Sequence, residues 1–135
     1  MIRYEDNHAP RLAKMLPALV EIAMISEVEA GAQAIAEEAK FSIIDGAISG
    51  SGHVASLPGE APNADTHDLD QSIHATSADV IGDTITADAV ADSDHAFIEL
   101  GTSRMEPRPY MAPASRRLRG DIVRSLAQRL RDERR

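Results

Sequence analysis

The residues of this chain best suited to chemistry fall in three short stretches. His67 has Asp65, Asp68 and Asp70 as neighbours, and imidazole with carboxylates is a donor set that suits zinc or manganese. The spacing matches no established ligand frame, however, and a solvated acidic turn ahead of a strand accounts for it equally well. Asp92, Asp94 and His95 form a similar acidic turn. Ser49-Gly50-Ser51-Gly52-His53 offers serines near a histidine, with Glu99 as a conceivable orienting acid. Nucleophilic catalysis needs these groups in mutual contact, yet no strand-turn-helix elbow surrounds the serines and the stretch reads first as flexible loop. There is no glycine loop of the kind that cradles phosphate. The expectation is a protein without catalytic residues, cofactor or metal.

The stronger signal is basic. Residues 114–135 hold eight arginines against Asp121, Asp132 and Glu133, a net charge of +5, whereas the rest of the chain carries six basic and nineteen acidic residues, or −13. Arg116, Arg117, Arg124 and Arg131 fall on one side of a helical pattern, opposite Leu118, Ile122, Leu126 and Leu130. Such a face pairs either with nucleic-acid phosphates or with acidic protein. The overall acidic balance and the lack of aromatic residues on this helix favour the acidic protein, which includes another copy of the chain. A nucleic-acid-binding module built on the arginine helix is the alternative reading.

At 135 residues the chain is most simply one domain. Hydrophobic residues make up 43%, but 22 are alanines and the aromatics are only Tyr4, Phe41, Phe97 and Tyr110. Alanine buries little apolar surface, so close helix packing suits this composition better than a large solitary core. The absence of cysteine excludes disulfides and thiolate metal sites and fits a reducing compartment. The first thirty residues contain acids and no continuous apolar core, so no secretory leader is expected there. No apolar run approaches the roughly 20 residues that span a bilayer, and a soluble protein is expected.

The elements that must position these residues follow from periodicity. Residues 10–44 predict a helix, with Leu12, Leu16, Leu19 and Ala23, then Val28, Ala32, Ile35 and Ala39, on its buried stripe. Pro17 either kinks it or starts its longer half. Residues 45–68, rich in glycine and proline, predict a long loop that orders on assembly. Leu69–Thr76, Val80–Val90 and His95–Leu100 predict three strands of a small antiparallel sheet. In the second, Ile85, Ala87 and Ala89 should be buried and Thr84, Thr86 and Asp88 wet. Residues 101–113 predict a proline-stiffened arm and 114–131 the final helix. The fold class is α+β: two helices packed on a small sheet.

In the arm region, Gly101 should end its strand with a positive φ, and Pro113 suits a first helical turn. The run Phe97-Ile98-Glu99-Leu100-Gly101-Thr102, followed by Pro107-Arg108-Pro109-Tyr110-Met111-Ala112-Pro113-Ala114, resembles the C-terminal signature of a family of small bacteriophage proteins. These are the neck, or tail-completion, components of long-tailed phages, also described as minor tail components. Leu57-Pro58-Gly59-Glu60-Ala61-Pro62 and then Asp68-Leu69-Asp70-Gln71-Ser72-Ile73 resemble a second family element. Asp68 stands where glycine is common and Tyr110 where phenylalanine is usual; neither change alters the physical role much.

The resemblance implies a structural virion protein at the head-to-tail junction, assembled in the host cytoplasm as a ring, a hexamer by that likeness. It implies contacts with a head-side connector or head-closure protein and with a tail terminator or tail tube, and proximity to DNA in the channel. A tail terminator or head-closure protein of the same junction is the neighbouring alternative. The residues expected to carry assembly are Glu99, Gly101, Arg104, Arg108, Pro109, Tyr110, Met111 and Pro113 on the arm, with Arg116, Arg117 and Arg124 on the helix. Within these, Glu99 is expected either to pair with Arg104 or Arg108 across a subunit boundary or to face solvent on an edge strand. Tyr110 and Met111 are either apolar anchors or local core.

Overall fold

From Ala18 onward the chain offers Ala, Glu, Ile, Met and Val with Gly31 as its one break, a composition with strong helix preference. In the computed structural model, which describes residues 2–5, 18–45, 55–59, 67–82, 84–91 and 96–133, this stretch is α1 (Ala18–Ile44). Its 27 residues span about 40 Å at the usual rise. Ala23, Val28, Ala32, Ile35 and Ala39 are buried along one stripe, as their spacing predicts. Leu12, Leu16 and Pro17 lie outside the described residues.

The last helix, α4 (Met111–Glu133), lies antiparallel against α1. The direction follows from two cross-links: Arg117 meets Glu38 at 2.7 Å, and the Ser125 hydroxyl donates to Glu27 at 2.8 Å. The axes approach closely because Gly31 sits at the crossing, where an added Cβ would stand 3.1 Å from Ile122 Cγ2. Ile122 is buried, and Leu118, Leu126 and Leu130 are half-buried beside it.

β1 (Ile2–Glu5) precedes α1, and between the two long helices the chain folds as α2 (Asp68–Ser72), β2 (His74–Ala75), β3 (Asp79–Ile81), β4 (Thr84–Thr86), β5 (Asp88–Ala91) and α3 (Ala96–Leu100). The class is α+β. A three-stranded antiparallel sheet has the order β1-β5-β2, and β3 and β4 form a separate hairpin. Two core clusters sit under α1. One gathers Ile35, Ala39, Ile43, Ile73, Tyr110 and Met111, and the other gathers Val20, Met24, Val28 and Ile85.

Three expected strands change form. Leu69–Thr76 begins as a helical turn because Leu69 and Ile73, four apart, both turn into one core while Asp68 and Asp70 favour the helix start. Only His74 and Ala75 extend as strand. Val80–Val90 divides into three strands: Gly82 at φ +63° turns β3 back onto β4, and the pairing changes partner at Ala87. Its alternation holds across the break, with Ile85, Ala87 and Ala89 buried and Thr84, Thr86 and Asp88 half-buried. His95–Leu100 is helical from Ala96, and Leu100, expected in a buried strand, is 70% exposed. No strand was expected at residues 2–5, where β1 pairs along β5 from Ile2 opposite Ala91 to Glu5 opposite Asp88.

Candidate functional site

Glu99 is the centre of the segment that the sequence singles out. It is buried on α3, neither at a strand end nor facing solvent, which corrects its expected place on a strand and the solvent-facing reading. Its carboxylate accepts three backbone hydrogen bonds: Oε2 from the Tyr110 N–H at 2.6 Å and the Met111 N–H at 3.0 Å, and Oε1 from the Ala112 N–H at 3.0 Å. These are the orphan donors at the start of α4, which has no acidic residue in its own first turn. With Met111 as the first helical residue, Tyr110 is the N-cap and Pro113 the third helical position. Pro113 has no N–H to satisfy. One carboxylate from α3 and one proline therefore account for all four unpaired positions of the helix start. The helix dipole adds to the attraction, and the three donors compensate the burial of a charge.

The intervening chain closes this clasp by a tight return. Gly101 has φ +74°, as its place predicts, and an added Cβ would lie 2.8 Å from the Pro107 nitrogen and 2.9 Å from the Met105 carbonyl oxygen. Thr102 N–H donates to the Met105 carbonyl at 2.8 Å, and the Arg104 N–H to the Thr102 hydroxyl at 3.2 Å. Arg108 N–H then donates to the Ile98 carbonyl at 2.8 Å, laying the arm back along α3. The segment 55–59 fastens the outside: Gly59 N–H donates to the Pro107 carbonyl at 2.9 Å, and Arg108 Nε to the Ser56 carbonyl at 3.2 Å.

Tyr110 and Met111 stand in the chain's own core, 1% and 0% exposed, beside Ile73, Ala114 and the C-terminal half of α1. Of the two readings made for them, the local core is the one this geometry shows. Arg104 is exposed, while Arg108 and Pro109 are half-buried. Arg108 bonds a carbonyl instead of the carboxylate expected for it. On α4, Arg116 is exposed, Arg117 is paired with Glu38, and Arg124 is paired with Asp121 on the next turn.

Three of the four stretches with a recognisable pattern thus meet in one core, and the fourth is tied to its outside. Ile98, Leu69 and Ile73 pack with Tyr110 and Met111, and Gly59 is tied to Pro107. Glu60, Ala61 and Pro62 lie outside the described residues. The roles of Glu38 and Ser56 had no sequence signal, since a surface glutamate and a loop carbonyl have none. Glu99 had one: a helix start with tyrosine at the N-cap and no acid in its first turn must be capped from elsewhere.

The other candidates yield less. His67, at φ +68°, has Nδ1 3.3 Å from the buried Asp70 carboxylate, which orients the ring at the start of α2. Among the described residues no three His, Cys, Asp or Glu side chains gather as a metal site. Asp65, Asp92, Asp94, His95 and Ser49 to His53 lie outside the described residues. No described helix is long and apolar enough to cross a membrane. Comparison with protein-family models, curated proteins and solved structures finds no match to this chain.

Proposed function

We propose that this chain is a structural component of the head-to-tail junction of a long-tailed phage, a neck or tail-completion protein that works by assembly. In this reading copies form a ring between a head-side connector or head-closure protein and the tail terminator or tail tube, with DNA passing through the channel. The observation that carries the reading is the convergence of the phage-like stretches on the Glu99 clasp. Residues of three of these stretches interlock: Glu99 with 110–112, Gly101 with Pro107, and Gly59 with Pro107. The clasp's polar atoms are engaged with backbone, an arrangement suited to holding a shape.

The alternative of a nucleic-acid module on α4 draws less support, because Arg117, Arg124 and Arg129 are held in ion pairs with Glu38, Asp121 and Glu133. The test is to append an epitope tag to the chain in the host that makes it, induce particle production and image labelled particles. Label at the neck is the expected result. Its position against the head or the tail also separates neck protein from head-closure protein and tail terminator. Particles that form normally without the chain and without label contradict the proposal, and salt-sensitive DNA binding by the purified protein would then favour the alternative.

A further inference from the structure

Apolar residues occur on every side of α1, although among the described residues only one side is buried. Opposite the buried stripe, Ile22 and Phe41 are 63% and 60% exposed, and Ile44 stands beside Phe41. Between them the outward face carries Ser26, Ala30 and Ala34, together with Gln33 and Glu37, which are hydrogen-bonded to each other at 2.7 Å. There it opens into a groove of about 200 Å³ shared with Leu118 and Ile122 of α4. A helix that is apolar all round is ordinarily covered all round. Small residues flanked by large apolar ones admit another helix at close range.

Charge identifies the occupant. α1 carries five glutamates against Lys40, whereas α4 carries six arginines against Asp121, Asp132 and Glu133. Glu27, Glu29 and Glu38 are engaged within the chain, so the exposed charge on the outward α1 face is Glu37, opposite in sign to the exposed Arg116 and Arg119 on α4. On this α4 face Arg116, Arg119 and Val123 follow at helical spacing, all exposed, with Val123 supplying apolar contact between the arginines. We propose that the outward face of α1 is covered by the outward face of α4 from a second copy of this chain. The contact deepens the assembly reading and rests on it for the number of copies that close the ring. The experiment below reads only the contact.

The chain has no cysteine, so introduced thiols are the only ones present. Single variants Ile22→Cys, Ala30→Cys and Phe41→Cys on α1 are mixed in pairs with Arg116→Cys and Val123→Cys on α4 and oxidised. Cross-links between α1 and α4 variants should form in at least one pairing and exceed any α1–α1 or α4–α4 product. In sedimentation velocity, Ile22→Glu with Phe41→Glu should weaken self-association at least tenfold without lowering the unfolding midpoint. Arg116→Glu should weaken it less and be partly rescued by Glu37→Arg. Cross-links confined to α1–α1 pairs, a parent chain monomeric into the high micromolar range at low salt, or a double-glutamate variant that associates like the parent each overturn the proposal. A chain found at the virion neck without the α1–α4 cross-link in those particles leaves the assembly reading standing and removes this contact. Cross-linked purified chain that never enters particles does the reverse.

Discussion

The start of α4 and the outward face of α1 are built on opposite principles. At the α4 start, three donors meet one carboxylate, the fourth position is a proline, and Tyr110 and Met111 are buried within the chain. Along the outward α1 face, Ile22 and Phe41 remain largely exposed among the described residues. The first region has its donors and apolar side chains engaged within the chain, and the second leaves large apolar side chains exposed. The most patterned stretch of the sequence thus makes contacts within the chain that hold the start of α4, and a docking role for the arm from Arg104 to Pro113 stands as a proposal beside that of the helix faces.

Substitutions should separate the two regions by size and kind of effect. Tyr110→Ala should be the most damaging, destabilising the monomer by about 4 kcal/mol through an unfilled core cavity. Chemical denaturation measures this, and an unchanged midpoint with weakened self-association would return Tyr110 to the role of surface anchor. Glu99→Ala should cost about 3 kcal/mol, since it leaves three charge-assisted bonds at a buried helix start unmade. Gly101→Ala should cost about 2 kcal/mol, because the positive φ and the contact with Pro107 both oppose a Cβ. A neutral Gly101→Ala would mean that the return of the arm is looser than described. Arg117→Ala, which removes an exposed pair to Glu38, should shift monomer stability by only about 0.5 kcal/mol.

How much of this was legible depended on the range of the interactions. The α1 stripe from Ala23 to Ala39 and the alternation of Ile85, Ala87 and Ala89 could be read because helix and strand periods are local. Gly101 could be read because a turn beside proline needs a positive φ. The α3 residues were read as strand because Phe97, Ile98 and Leu100 look apolar enough for one. The Glu99 carboxylate instead meets amides eleven to thirteen residues away, a partnership that no local pattern shows. Likewise Leu69 and Ile73 have helical spacing over too short a window to outweigh a strand reading, and β1 is only four residues long. The exposed face of α1 had no signal of its own, because which apolar residues the helix leaves outside depends on the packing of α4.

The central claim is that the Glu99 carboxylate fixes the start of α4. It is tested most directly by residue-resolved hydrogen exchange at the Tyr110, Met111 and Ala112 amides in the parent chain and in Glu99→Gln. The amide side chain keeps one acceptor oxygen but loses the charge, so α4 should still form. The account predicts that these three amides are protected in the parent to a degree comparable with the interior of α4. In the variant they should exchange at least tenfold faster, while amides in the middle of the helix change little. Exchange of all three at the rate of an unstructured chain in the parent, or an identical profile in Glu99→Gln, would contradict it.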